Sequence, residues 1–381
     1  MSPRLVVVHE RFTERGGSEQ VVQQLIGLSQ NSRIFAPLVD RALLDGDLSA
    51  TEVRSSRLQA LYRRPGAYAH LLPLLPLAMR TADLSDADVV VASHHAFANR
   101  VRVPDGVPLI GYVHSPARWM WDRAKLRGEL GGRTGAAALR TFGAASRPGD
   151  RAAAGRIDHL VANSRTVANR ILRWWRRHAE VIHPPVDVEF HHPAPVERED
   201  FFLVAGRLVP YKRVDVAVAA ATQLGRRLVV AGDGRAMPEL RAMAGPTVEF
   251  VGAVDDVELR ELYRRCAALL FPGEEDFGIV PVEAQACGAP VIASAVGGAV
   301  ETVADGVTGV LVDVDGRDRV EVFAEAMAAF DPTRFDGTTI RANAEPFSRE
   351  RFRSEMHDYL ERRVDGWERP AVPRTLRLVG R

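Results

Sequence analysis

Short runs of β-branched residues recur along this chain, and a segment long enough for a helix separates most of them from the next. Strands too far apart for a hairpin run parallel, with helices in the crossovers covering both faces of the sheet. In the first half this alternation predicts strands over 5–9, 34–39, 88–93, 108–114, 159–162 and 180–183, with helices notably over 18–28 and 166–177. It resumes with strands over 201–205, 227–231, 248–251, 267–271, 291–293 and 309–312. The expected fold class is α/β, with two doubly wound sheets in succession.

Between the halves, residues 183–200 read HPPVDVEFHHPAPVERED, with four prolines and no sustained periodicity. That composition predicts a linker, and hence a cleft between two domains over 1–190 and 200–347. Ser348 is placed to cap a last helix over about 348–365, whose Phe352, Met356, Tyr359 and Leu360 share an apolar face. Residues 366–381, with Pro370 and Pro373, read as a mobile tail. No apolar run reaches the ~18–20 residues of a membrane span, and the first residues offer only a short apolar run, so a cytoplasmic chain is expected. Cys266 and Cys287 fit that compartment, and their spacing suits neither a CxxC redox pair nor a zinc site.

The net charge of +1 conceals an asymmetry: 26 basic residues face 18 acidic ones over 1–190, and 24 face 31 over the remainder. Only two of the fifty basic residues are lysine, Lys125 and Lys212. The first half favours anionic surroundings. Within it, RILRWWRR at 170–177 has the composition of a helix resting on anionic lipid. The same residues also suit a helix with Ile171, Leu172 and Trp175 on the core and its arginines solvated. Nucleic acid is disfavoured, because the basic excess is diffuse and the other half is acidic.

The segment FPGEEDFGIVPVEAQACGAPVIA, at 271–293, carries the most chemistry. A strand ends near Phe271, a loop holds Glu274, Glu275 and Asp276, and a helix begins near Gly278 with Glu283 just inside. A glycine turn opening a helix at a parallel strand's carboxyl end presents N–H groups and a positive dipole end to phosphate. Carboxylates repel phosphate, so Glu275 and Glu283 suit the hydroxyls of a sugar and a ribose; the plainer alternative is a helix-start pair. In VAGRLVPYKRVD, at 204–215, a strand delivers Arg207 into a loop and Lys212 opens the next helix. Two cations there suit a diphosphate whose charge grows as it leaves, the work a metal does elsewhere. An exposed basic loop is the alternative.

In ERGGSEQVV, at 14–22, Gly16 and Gly17 permit close approach of a phosphate or hydroxyl, with Ser18 as the helix cap, or simply form a tight turn. Neither this stretch nor AGDGRAM at 231–237 completes GxGxxG, which counts against a dinucleotide oxidoreductase. In YVHSPARWMWD, at 112–122, His114 ends a strand facing the cleft, where a histidine bonds a sugar hydroxyl, carries a proton, or serves structure alone. His94, His95, His191 and His192 form pairs without a third ligand at metal spacing, and the DxD triplets at Asp45 and Asp313 sit at turns, so no metal is expected.

Together, EDFGIVPVE at 275–283, GRLVPYKRVD at 206–215, the paired Gly16 and Gly17, and YVHSP at 112–116 resemble the retaining glycosyltransferases of family 4 over nearly the whole chain. Glu275 and Glu283 show that family's Glu-x7-Glu spacing. LPLLPLA ending at Ala78, HSPARWMWD at 114–122 and FPGEEDFGIVPVEAQACG at 271–288 are most similar to bacterial mannosyltransferases of polysaccharide and O-antigen assembly.

The resemblance implies a GT-B fold: two facing Rossmann-like domains, the first binding the acceptor, the second the nucleotide sugar, with the last helix crossing back to the first. It implies that Gly206, Arg207 and Lys212 hold the donor diphosphate and that Glu283 bonds the ribose. Glu275 and the backbone of Phe277, Gly278, Ile279 and Val280 would position the sugar, with His114 lining the reaction centre and Gly17 near the phosphate or acceptor. It implies a retaining hexosyltransferase using GDP-mannose, with no cofactor or metal required. Its acceptor would be a saccharide or a lipid-linked sugar, with possible peripheral contact to anionic membrane at the inner face. The loop here reads Arg-Gly-Gly-Ser-Glu where the family more commonly has Gly-Gly-Ala-Glu. Alternatives are a UDP-sugar-dependent enzyme making small glycosides, a nucleotide-sugar epimerase, or a noncatalytic nucleotide-sugar-binding module.

Overall fold

The computed structural model describes residues 3–14, 16–62, 68–122 and 132–367; Lys125 and the expected tail from residue 368 onward lie outside them. Within those residues the chain forms two wholly parallel sheets. The first orders its strands β3-β2-β1-β4-β5-β6-β7: β1 Arg4–His9, β2 Asn31–Phe35, β3 Glu52–Arg54, β4 Val89–His94, β5 Leu109–Val113, β6 His159–Ala162 and β7 Glu180–Val181. The second orders them β10-β9-β8-β11-β12-β13: β8 Phe202–Ala205, β9 Leu228–Ala231, β10 Val248–Gly252, β11 Ala268–Phe271, β12 Val291–Ser294 and β13 Gly309–Val312.

The apolar runs are continuous because both faces of each sheet are covered. On β1, Val6 and Val8 enter one core while Leu5 and Val7 enter the other. Phe202 and Val204 of β8 likewise face away from Leu203 and Ala205. Strand order reverses between β1 and β4 in the first sheet and between β8 and β11 in the second. Crevices open at such switch points, beyond the carboxyl ends of the strands, and His9, His94, Ala205 and Phe271 end the four strands concerned.

Three elements depart from expectation. The second strand covers Asn31–Phe35, earlier than the apolar run suggested, because Pro37 ends the ladder and the Val39 N–H turns to the Gln59 side chain at 2.7 Å. Its polar start is stabilised by the buried Arg33, which bonds Asp86 and the Asp83 carbonyl. A helix over Gly132–Ala154, rich in glycine and alanine with Pro148 inside it, was not foreseen, nor was the polar edge strand β3. The proline-rich connection is packed as well: Val186 and Val188 are buried beside Phe277, Val282 and Phe347.

The last helix, Arg349–Glu361, is capped by the Ser348 hydroxyl, which accepts from the Arg351 N–H at 3.2 Å. Its Phe352, Met356, Tyr359 and Leu360 join the first sheet's core together with Val364 and Trp367, so Trp367, expected in the mobile tail, is instead held by its buried indole. The helix therefore ties the chain's end to the domain where it began. Phe352 is fully buried, so Phe352→Ala is expected to cost about 3–5 kcal/mol in denaturant unfolding; a loss below about 1 kcal/mol would contradict this packing.

Candidate active site

The loop over 272–278 follows β11 and ends at Gly278, whose φ of +91° turns the chain into the helix Ile279–Ala286. Glycine adopts this left-handed conformation without the penalty a Cβ brings. Behind the loop, the Gly298 N–H donates to the Glu275 carbonyl at 2.9 Å, and a Cβ at Gly298 would overlap the Phe277 backbone. The loop is thereby fixed from behind. The helix carries no acidic residue in its first turn, so its end is free for a ligand's negative charge.

Lys212 lies in the 3-10 turn Pro210–Lys212, just before the helix Val214–Leu224 that it was expected to open. Its Nζ is 2.6 Å from Glu275 Oε1. Burial opposes the Lys212 charge, but the Glu275 carboxylate outweighs it and holds the amine above its ordinary pKa. Gly206, at the end of β8, has a φ of +118° and lies beside the Lys212 ammonium. Arg207 extends the other way, its guanidinium 2.6 Å from Glu14 of the first domain. Each expected phosphate-holding cation thus has an internal counter-ion.

Glu283 is nearly buried and accepts from the Tyr263 hydroxyl at 3.1 Å, with His191 Nε2 at 3.8 Å. Burial pushes its carboxyl up to about 7 and His191 down to about 4. Across the cleft Gly17 faces Ile279 so closely that a Cβ would overlap that side chain. The helix Gly17–Ile26 is capped by Gly16, with no side-chain cap. Ser18, expected as the cap, instead lies in the first turn and donates to Glu19 at 2.9 Å.

His114 sits at the carboxyl end of β5, 7 % exposed, with its Nε2 2.8 Å from Ser93 Oγ. Ser93 is in turn 3.0 Å from His9 Nδ1, and His9 Nε2 is 3.3 Å from Glu19. His95 stacks on His114 with ring centroids 4.4 Å apart. Burial, aided by the neighbouring histidines, lowers the pKa of both His95 and His114 well below the ordinary value. Sequence reasoning did not find His9, Ser93 or Glu19 as partners of His114. The available signal was topological: β1 and β4 flank the switch point, and their register pairs His9 with Ser93. Beside them the buried Glu10 accepts from the N–H groups of His95, Ala96, Phe97 and Ala98 at 2.6–3.2 Å. Burial alone would raise its pKa; His94 and these donors hold it low.

The helix Arg165–Trp175 overturns part of its expected reading. Ile171 and Trp175 are buried, but Leu172 is 42 % exposed. Arg170 reaches across the cleft to Asp276 and, at 3.0 Å, to Glu274, while Arg118 reaches Asp276 at 3.2 Å. Ser164 Oγ donates to the Asp276 carbonyl at 2.6 Å, and Glu301 accepts from the N–H groups of Arg165 and Thr166 at 2.8 and 3.0 Å. Arg177 bonds the carbonyls of Ala154, Ile157 and Asp158. Arg170 and Arg177 are therefore bound within the protein rather than solvated. Among the described residues no group of three or more His, Cys, Asp or Glu stands where it could hold a metal ion.

Comparison with known proteins matches residues 15–190 to the model described as Glycosyltransferase Family 4 and residues 187–330 to Glycosyl transferases group 1. D-inositol 3-phosphate glycosyltransferase 1 of Catenulispora acidiphila is 34 % identical over 298 residues, which span 68 % of this chain and 67 % of that protein. The D-inositol 3-phosphate glycosyltransferase of Kribbella flavida is 36 % identical over 45 % of this chain, and the match spans about half its length, 48 %. Solved structures share the fold, and two illustrate it. Sucrose-phosphate synthase from Thermosynechococcus elongatus has a TM-score of 0.71 at 18 % identity, covering 94 % of this chain and 98 % of that one. Anabaena HepE in complex with UDP and glucose gives 0.69 at 18 %, covering 93 % and 99 %.

The Glu283 carboxyl supplies a test of the site's electrostatics. An acid whose folded pKa lies above its unfolded value stabilises the fold at low pH, and that contribution is lost as pH rises through the folded value. From about pH 5 to pH 8, Glu283→Gln should gain about 3 kcal/mol relative to wild type in denaturant unfolding. A pH-independent difference would show that the carboxyl titrates normally.

Proposed function

The chain belongs to the group 1, family 4 glycosyltransferases, and from that premise we propose that it transfers a hexose from a nucleotide diphosphate sugar with retention of anomeric configuration. The observation that carries this reading is the pairing of Lys212 with Glu275 beside the open end of the helix Ile279–Ala286, with Arg207 close by. In this reading the diphosphate replaces Glu275 and Glu14 as partner of Lys212 and Arg207, and the N–H groups of Phe277 to Val280 face its oxygens and the sugar. The freed Glu275 carboxylate accepts from sugar hydroxyls, Glu283 accepts from the ribose, and Gly17 lets the acceptor side approach.

An acceptor hydroxyl attacks the anomeric carbon on the face from which the phosphate departs. The C–O bond to phosphate breaks, the hydroxyl proton passes to the departing phosphate oxygen, and the nucleoside diphosphate leaves. Charge grows on that oxygen as the bond breaks, so Lys212 and Arg207 bind the transition state more tightly than the ground state. His114 contributes a hydrogen bond to a hydroxyl at the reaction centre.

The segment around His114 and the loop over 271–288 favour GDP-mannose as donor. The acceptor has two readings. Mannosyltransferase-like motifs support a saccharide or lipid-linked sugar, whereas relatives 34–36 % identical are named for D-inositol 3-phosphate, which supports a small phosphorylated polyol. On the helix Arg165–Trp175 and its cap, Arg173 and Arg176 are exposed. At roughly 1 kcal/mol per basic residue near an anionic surface, they give a cytoplasmic chain only weak peripheral attraction to lipid.

GDP-, UDP- and ADP-sugars, scored for the rise in melting temperature and for slow hydrolysis, test the donor. GDP-mannose is expected to give both effects; turnover confined to a UDP-sugar would reassign the donor, and isomerisation without an acceptor would contradict transfer. Lys212→Ala should lower turnover at saturating donor by ~10² to 10³ with limited change in donor binding, and chelator should leave the wild type active. Near-wild-type turnover in Lys212→Ala, or loss with chelator reversed by a divalent ion, would overturn the mechanism.

A further inference from the structure

His114 does not stand alone at the end of β5. A continuous line of polar atoms runs from Glu19 through His9 and Ser93 to its Nε2, with steps of 3.3, 3.0 and 2.8 Å. Each member comes from a separate element: Glu19 from the helix Gly17–Ile26, His9 from the end of β1, Ser93 from β4. His9 and Ser93 face each other in strand register, and both are at most 1 % exposed. A line this buried exchanges hydrogen bonds internally rather than with water, so its polarity is constrained end to end.

We propose that Glu19, His9 and Ser93 are positioning residues that decide which ring nitrogen of His114 carries its proton. The inference rests on the reading of His114 as a residue of the reaction centre. An ionised carboxylate only accepts, so the Glu19 end fixes His9 Nε2 as a donor. With His9 neutral, its Nδ1 accepts from the Ser93 hydroxyl, and Ser93 Oγ accepts from His114 Nε2–H. His114 then presents Nδ1 as an acceptor to a substrate hydroxyl. With His9 protonated, Nδ1–H donates to Ser93, the Ser93 hydroxyl donates to His114 Nε2, and the His114 proton lies on Nδ1. The serine hydroxyl rotates between the two arrangements, so one proton gained at His9 reverses the hydrogen bond that His114 offers. The change breaks the His114 Nε2–H bond and forms an Nδ1–H bond by proton exchange with solvent or a bound hydroxyl, so the ring's charge is unchanged while His9 gains one proton from solvent.

The charged and titratable groups around this line are few. Glu19 holds an ionised state because His9 and Ser18 bond it, against the opposing effect of burial. His95 stacks on His114 and lies 6.2 Å from His9 ring to ring, Tyr112 meets the His114 ring edge-on at 5.2 Å, and His94, Arg11 and Arg207 bear on His95 from outside the line. Burial keeps His95 and His114 neutral far below the ordinary histidine range.

Nitrogen-15 NMR of the full chain reads each histidine tautomer directly. With His9 neutral, His114 is expected as the Nε2–H form; wherever the His9 ring carries both protons, His114 is expected as Nδ1–H, without gaining charge itself. Ser93→Ala should uncouple the two rings and lower turnover on the order of tenfold, with donor KM nearly unchanged. A His114 tautomer indifferent to the protonation state of the His9 ring, or still coupled to it in Ser93→Ala, would overturn the inference even where His114→Ala has lost activity. Full activity in His114→Ala would instead overturn the reaction-centre reading, and with it the functional half of this inference.

Discussion

Asp276 receives Arg118 and Arg170 from the opposite domain while its neighbour Glu275 holds Lys212 of its own. Adjacent residues of one loop thus serve the domain interface and the site at once. Exposed ion pairs contribute ~0–1 kcal/mol each, but these side chains are only 13–25 % exposed and share partners. Shared, partly buried charges couple: removing one leaves another unpaired in a poorly solvated place. Ser164, bonded to the Asp276 carbonyl, and Glu301, bonded to the N–H groups at the start of the helix Arg165–Trp175, reinforce the same contact from both sides. Closure and the shape of the loop are therefore one electrostatic arrangement.

The internal counter-ions have a second consequence. Glu275 beside Lys212, and Glu14 beside Arg207, neutralise charges that would otherwise stand unpaired in a cleft. An anionic ligand entering there exchanges one set of partners for another. The two pairs differ: Lys212 and Glu275 belong to the same domain, whereas Glu14 and Arg207 bridge the two. A ligand that takes Arg207 from Glu14 loosens one interdomain contact and leaves the Arg170 and Asp276 contact in place.

Much of the fold was legible because its strands are covered on both faces and so read as plain apolar runs. The turn at Gly278 was legible because a positive φ and a helix start leave local marks. What escaped was either polar or long-range. Asn31 to Arg33 begin a central strand only because Asp86 and the Asp83 carbonyl, far along the chain, satisfy Arg33. The helix Gly132–Ala154 lacks the large apolar stripe that usually signals one. Arg170 was read as a surface charge because its partners lie more than a hundred residues away. His114 was found from its strand end, but its line to Glu19 required the register of β1 on β4.

If the contact between Arg170 and Asp276 shapes the loop that carries Glu275, it bears on activity as well as on domain contact. A double-mutant cycle on kcat/KM, with Arg170→Ala, Asp276→Ala and both together, measures this directly. Strong coupling is expected, an interaction energy of about 1–3 kcal/mol, with the double variant little worse than either single one. Losses that simply add, or near-wild-type kcat/KM in all three variants, would contradict it.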